Sequence, residues 1–374
     1  MREGFILRAL IIMTLIPWIS IIEGQEAADT NRALFIVGLR AHYGCILPHS
    51  KWVEPVSHTN PRGIETDICW HLRKKNYWNY CFCYPRTGFS VYYANYDNPD
   101  ILGSAISIYP FIEPYIRAER PLNFSIRFGI GPAIMTKVYD SITNPDNLMY
   151  GSTLSFIALL NFSINYRIAD RLMLRLAGNY NHISNGGLKE PNYGINFPTL
   201  NAGFDYSFTT TRFEDREKDP EIVLNPKKNR FDLIFLFSGK PTAHGVDKRY
   251  AVFGFCANYS RTVGRIFALT GGAEWVSDRS LRQKIITHHK VDESGELFDH
   301  HRAAVLAGVD WLFGRFIFSQ QMGIYFYCPY GARNPIYQRY GLSFKITEHI
   351  FTGINIKAHA QDADFMDMRM ALYF

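Results

Sequence analysis

The sequence predicts an all-β protein, a transmembrane antiparallel β-barrel of about 14–16 strands. Three observations point there. Apolar and polar residues alternate in strand-length runs along almost the whole chain, an export-type segment stands at its start, and the final residues alternate strictly to an aromatic end. The alternation is clean at 121–136. There Leu122, Phe124, Ile126, Phe128 and Ile130 take one face, and Asn123, Ser125, Arg127, Gly129 and Gly131 the other. Successive strand side chains point to opposite sides, so this is an oily face backed by a polar one. In lipid the oily face lies outside and the polar face lines a wet lumen. In a soluble sandwich the two are exchanged. Periodicity alone does not separate the cases.

The ends of the chain help to separate them. Arg2 and Arg8 flank a short basic region, and 9–22 is an apolar run. At about fourteen residues it is too short to cross a bilayer as a helix and fits a secretory signal, with cleavage expected between Gly24 and Gln25. A retained anchor helix is the weaker reading. No Cys follows at once, so a lipoprotein anchor is not expected. At the other end Met366, Met368, Met370, Leu372 and Phe374 share one face. A terminal strand closing on Phe resembles the recognition signal of bacterial outer-membrane proteins, which sets the expected location as integral to the outer membrane.

Composition agrees. Aromatic residues make up 15% of the chain and the mean hydropathy is near zero, as expected when lipid-facing and lumen-facing residues average out. A net charge of +6 permits an anionic lipid partner, and no basic stripe suggests nucleic acid. Six cysteines are present. Export allows disulfides, but a closed barrel has little need of them. Cys81-Phe82-Cys83 lacks zinc-knuckle spacing, and the pairing stays open.

Taken in order, candidate strands are 33–43, 63–72, 88–97, 102–116, 121–136, 152–167, 169–184 and 195–208. After a charged connection at 209–229 come 230–239, 249–261, 264–277, 302–313, 315–328, 335–346, 349–360 and 365–374. The expected organisation is a signal at 1–24, a first half at 25–208, the connection, and further strands at 230–374. One large barrel is the primary reading, because the second half keeps the pattern and carries the closing strand. Two tandem eight-stranded barrels are the alternative. With both termini on the periplasmic side, odd strands run outward, so 169–184 ends at the outer leaflet.

That strand carries the chemistry. Leu172, Leu174, Leu176, Gly178 and Tyr180 share its oily face, and His182 and Ser184 continue in phase. A base and a hydroxyl two residues apart on a lipid-facing wall suit a substrate that is itself a lipid. The segment His182-Ile183-Ser184-Asn185-Gly186-Gly187-Leu188, followed by Pro191-Asn192-Tyr193-Gly194-Ile195, resembles the active-site segment of the lipid A 3-O-deacylase family. These are outer-membrane barrel esterases, called acyloxyacyl hydrolases in longer relatives. The likeness extends loosely over 33–208 and does not reach the second half. A bare His-x-Ser would be worth nothing, whereas the Gly-Gly and Pro-Asn-x-Gly continuation makes the match fairly specific.

The resemblance implies serine esterase chemistry on lipopolysaccharide, with no metal and no cofactor. Ser184 is the nucleophile and His182 the base. Asn185 and Asn192 shape the oxyanion pocket, and Gly186 with Gly187 lets the chain turn sharply beside the acyl chain. The sequence departs from the family at one place, since the Glu expected twelve residues after the serine is Asn196. Asn196 is in phase with the oily face of its strand and ranks ahead of the loop residue Glu190 as the group that orients His182. An Asn can hold an imidazole tautomer but supplies no charge.

Blander readings stand beside these. His182 and Ser184 could be ordinary polar residues of an interfacial girdle, and the chain a pore, an adhesin or a structural barrel. A soluble periplasmic β-protein is a third possibility. His288, His289, His300 and His301, with Asp292, Glu293, Glu296 and Asp299, read as a solvated loop, because no metal-ligand spacing is defined. Lys189 reads as a solvated loop lysine.

Overall fold

A computed structural model describes residues 32–187, 189–218, 228–242, 248–331, 334–359 and 362–374. The expected signal peptide lies outside the described residues. The first eight strands are β1 (Leu34–Gly44), β2 (Arg62–His71), β3 (Tyr84–Asn95), β4 (Ser104–Ile116), β5 (Leu122–Met135), β6 (Leu154–Ala169), β7 (Leu172–Ser184) and β8 (Ile195–Ser207). Eight more follow: β9 (Asn229–Pro241), β10 (Arg249–Thr262), β11 (Phe267–Asp278), β12 (His301–Phe313), β13 (Phe316–Tyr327), β14 (Ile336–Lys345), β15 (Ile350–His359) and β16 (Asp362–Tyr373). Each of the sixteen expected strands is found, with ends displaced by a few residues at most.

The expectation of a single large barrel is corrected. β8 pairs back onto β1, with Ile36 opposite Ser207 and Tyr43 opposite Leu200, and closes the first eight strands. β16 pairs onto β9, with Met368 opposite Phe237, and closes the other eight. The arrangement is the alternative one, two tandem eight-stranded barrels. A period of two reports which face a side chain takes, but not which strand completes the ring.

Both barrels are inside-out relative to a water-soluble protein. Ile64 is 57% exposed, Phe128 50% and Leu176 56%, while Glu113 and Asp67 are fully buried. The lumen of the first barrel is polar, as expected, but filled. Arg127 bridges Asp67 (2.5 Å), Glu65 (2.9 Å) and Glu113 (2.8 Å). Arg40 reaches Asp67 (2.6 Å) and Asp205 (2.7 Å), Arg86 reaches Asp205 (2.5 Å), and Arg175 reaches Glu113 (2.5 Å). Each charge in this network faces an opposite one. That is the condition under which ions leave water without a large penalty. The second lumen repeats the device, with Glu274 paired to Arg339 (2.6 Å) and Lys357 (3.1 Å), and Asp367 to Arg339 (2.6 Å) and Arg369 (2.7 Å). An eight-stranded ring has room only for the side chains that line it.

Among the described residues, two short α-helices decorate the connections. α1 (Lys75–Cys81) ends where Phe82 turns left-handed (φ 51°), and a Cys81–Cys83 disulfide spans that turn. Cys45, Cys69, Cys256 and Cys328 are free. α2 (Arg279–Thr287) starts at Asp278, whose side chain accepts the Leu281 amide (3.0 Å) and so satisfies an otherwise unpaired helix donor. The loops 45–61, 96–103, 136–153 and 185–194 gather at the far end of the first barrel, opposite the end where β1 begins.

Candidate active site

The site is built where β7 runs out into the loop 185–194. Along β7 the buried residues are Arg175, Ala177, Asn179, Asn181 and Ile183, so His182 and Ser184 share the outward face with the exposed Leu174, Leu176 and Tyr180. Both are half-buried rather than fully exposed. Their cover comes from β8 and the loops. His182 pairs in register with Asn196 and Ile183 with Ile195, and Gly194 and Ser184 lie just beyond the last pair. Gly194 has φ +75° and lies against both His182 and Ser184. A Cβ there would stand 2.9 Å from His182 Cε1 and 3.2 Å from Ser184 Cβ. Only a residue without a side chain lets the chain pass this close in that conformation. The 136–153 loop pins the turn from behind, its Met149 carbonyl accepting the Gly194 amide (2.7 Å) and its Leu148 carbonyl the Tyr193 amide (3.2 Å).

Three side chains form a hydrogen-bonded line, and one fixed acceptor orients it. The Tyr193 carbonyl can only accept, so His49 Nε2–H donates to it (2.8 Å). With the ring neutral, His49 Nδ1 is then an acceptor, and takes a proton of the Asn196 amide nitrogen (3.1 Å). That sets the direction of the Asn196 amide, whose oxygen accepts from His182 Nδ1 (2.7 Å). His182 therefore carries its proton on Nδ1 and leaves Nε2 bare, the tautomer a general base needs.

The sequence expected Asn196 or Glu190 to orient His182, and it is Asn196 that holds Nδ1. Glu190 stands in the loop with its backbone carbonyl against Gly151. His49 escaped the sequence reading. It comes from the β1–β2 loop, 147 residues before Asn196, and nothing in its neighbourhood marks it.

Asn185, Asn192 and Gly187 are brought together as one turn. Asn185 is fully buried, its amide N–H donates to Asn192 Oδ1 (2.8 Å), its side-chain nitrogen to the Lys189 carbonyl (2.6 Å), and its side-chain oxygen accepts the Gly187 amide (3.0 Å). These bonds shape the loop. Asn192, by accepting through Oδ1, keeps Nδ2 as its donor. Gly186 and Gly187 take φ of +64° and +79°, the left-handed turn that glycine tolerates. The second barrel touches this loop: Arg249 Nη2 donates to the Gly187 carbonyl (3.3 Å), and a Cβ on Gly186 would lie 3.8 Å from Met366 Sδ.

Each barrel is similar to a known protein family. Residues 66–205 match the family described as lipid A 3-O-deacylase (PagL), and residues 229–374 match acyloxyacyl hydrolase, C-terminal domain. The first barrel thus carries the lipid A 3-O-deacylase match and the second the acyloxyacyl hydrolase C-terminal match. The likeness is wider than the sequence reading drew it, since the second barrel has its own family match. Both family descriptions name hydrolases of acyl esters.

Among solved structures, the outer membrane enzyme PagL is 20% identical over 44% of this chain and 97% of its own (TM-score 0.34). Neisserial surface protein A is 14% identical over 46% and 96% (TM-score 0.28). A variant Rh. blastica porin is 8% identical over 91% and 100% (TM-score 0.19). Likeness this low leaves the comparison resting on the two family matches. No curated protein matches the chain.

Proposed function

We propose that this chain is an integral protein of the bacterial outer membrane that removes an acyl chain from lipid A by serine esterase chemistry on its outward wall. The observation that carries the reading is a base and a hydroxyl on the oily face, with the base's proton already placed by Asn196. A soluble enzyme has no use for that address. For a substrate whose acyl chains lie in the bilayer it is the natural one.

In this reading Ser184 Oγ attacks the ester carbonyl while His182 Nε2 takes its proton. The tetrahedral oxyanion is met by Asn192 Nδ2. Collapse breaks the bond to the sugar oxygen, which leaves with the proton returned from Nε2. Water then attacks the acyl-enzyme through the same base, releasing a 3-hydroxylated fatty acid and restoring Ser184. Asn196 fixes the tautomer and His49 is a positioning residue behind it. Neither bears a formal charge in its neutral form, so the imidazolium formed in each step lacks the carboxylate that usually faces it. Slower turnover than in relatives with the family Glu is expected.

The test is the lipid A mass spectrum of cells expressing the protein. Loss of one acyl mass is expected with the wild-type chain and not with Ser184→Ala or His182→Ala, while both variants still assemble. Unchanged deacylation by Ser184→Ala would end the reading. The rival, a non-enzymatic barrel, draws on the missing Glu. Its pore form is disfavoured by the ion pairs that fill both lumens, and planar-bilayer recordings of the purified protein are expected to show no unitary conductance.

A further inference from the structure

We propose that the far rim of the second barrel holds a binding site for a divalent transition-metal ion, zinc by its ligand set, formed by Asp299, His300 and His301. The sequence presented eight ionisable residues around this loop without a ligand spacing. The fold selects three, whose ligand atoms all lie within 4.8 Å of one another.

His301 Nδ1 is 2.6 Å and His300 Nδ1 3.6 Å from Asp299 Oδ1. Around a four-coordinate zinc with bonds of about 2.0–2.1 Å, neighbouring donors stand about 3.3 Å apart. The two distances bracket that value, so an ion enters with shifts of a few tenths of an ångström for one pair and somewhat more for the other.

The case rests equally on what holds these side chains. Metal ligands need outer partners that aim them, and each of the three has one from a neighbouring strand. Asp299 Oδ2 accepts from Tyr327 OH (2.7 Å) on β13, while Oδ1 accepts the His301 backbone amide (3.1 Å) and shares a proton with His301 Nδ1 (2.6 Å), the proton an incoming ion would displace. His300 Nε2 lies 3.3 Å from Ser277 Oγ on β11, which turns Nδ1 inward. The His301 ring stacks on Trp275 of β11 at 5.1 Å, with 20° between the planes. The two imidazole rings stand 4.1 Å apart, centre to centre. Ser277 and His301 are register partners and Tyr327 pairs with Ala303, two residues further along β12, so the sheet carries all three supports.

Two imidazoles and one carboxylate favour zinc, copper or nickel over the hard cations calcium and magnesium, and three protein ligands leave a place for water. Bound there, the ion ties the loop that follows α2 to the rim of β11, β12 and β13.

The experiment is isothermal titration of zinc chloride into the full-length protein in detergent, purified without a polyhistidine tag. One equivalent of zinc is expected to bind, with calcium giving no heat. His300→Ala and His301→Ala should each weaken zinc at least tenfold. Asp299→Asn, which keeps the shape of the loop, should also weaken it, while His288→Ala/His289→Ala should leave it unchanged. Absence of saturable zinc binding would overturn the proposal. So would undiminished binding by a folded His300→Ala/His301→Ala variant, or loss of binding in His288→Ala/His289→Ala.

Discussion

Near the far end of the seventh strand of each barrel stands a histidine, and the two point in opposite directions. His182 on β7 is in phase with the exposed Leu174, Leu176 and Tyr180. His359 on β15 is in phase with the buried Asn355 and Lys357, and its ring lies 6.0 Å and 5.8 Å from those of Tyr325 and Tyr337 inside the lumen. A phase difference of one residue sends a side chain to the other face of the sheet. The ion-pair filling is common to both barrels, so it belongs to folding. The outward pair with its orienting line belongs to the first barrel and is where activity is expected.

Substitutions at five positions would break or sharpen that contrast. The largest effect is expected on stability. Arg127→Met removes the cation that faces Asp67, Glu65 and Glu113, and leaving those carboxylates buried should cost about 3–5 kcal/mol. Urea unfolding followed by gel mobility measures it. Arg339→Met should destabilise the second barrel similarly, yet leave deacylation by the folded fraction intact. Next comes Gly194→Ala, which puts a methyl group against His182 and a side chain at φ +75°. A displacement of the base by a fraction of an ångström to an ångström should cost about a hundredfold in deacylation rate, with gel mobility unchanged. Failure to see a loss there would separate Gly194 from the site.

Asn196 gives a two-sided test. Asn196→Ala frees the His182 ring and should lower the rate about tenfold or more, whereas Asn196→Glu adds the missing charge and should raise it several-fold. A Glu variant slower than wild type would mean that the Asn-based line is tuned as it stands. The smallest effect is expected for His49→Ala, about threefold to tenfold. The Asn196 amide then loses the partner that sets its direction but keeps its oxygen near Nδ1. The same substitution in an Asn196→Glu background should do less, because a carboxylate has no direction to lose.

Strand positions, faces and the His182–Ser184 segment were legible because each is a local pattern. Leu122 to Ile130 show their face in nine residues, and the Gly-Gly turn announces its backbone. Closure was not legible. Ile36 meets Ser207 rather than a later strand for reasons of ring geometry, which no single strand records. His49 was hidden for a related reason, being an ordinary loop histidine until β1 and β8 become neighbours. The metal-ligand trio was hidden by excess. Four histidines and four acids flank one loop, and only the sheet beneath it picks out Asp299, His300 and His301. Asn185 and Asn192 fall between, since the resemblance brought them together while only the fold shows that they bond to each other in one turn.

The central claim is that Ser184 is an activated nucleophile on the barrel's outer wall. Treating the detergent-solubilised protein with an alkyl sulfonyl fluoride and mapping the adduct by peptide mass spectrometry tests it without needing the natural substrate. The account predicts a covalent adduct on Ser184 in the wild-type chain and a rate of labelling at least a hundredfold lower in His182→Ala. Labelling at the same rate without His182, or none at Ser184 in protein that is folded by gel mobility, would contradict it.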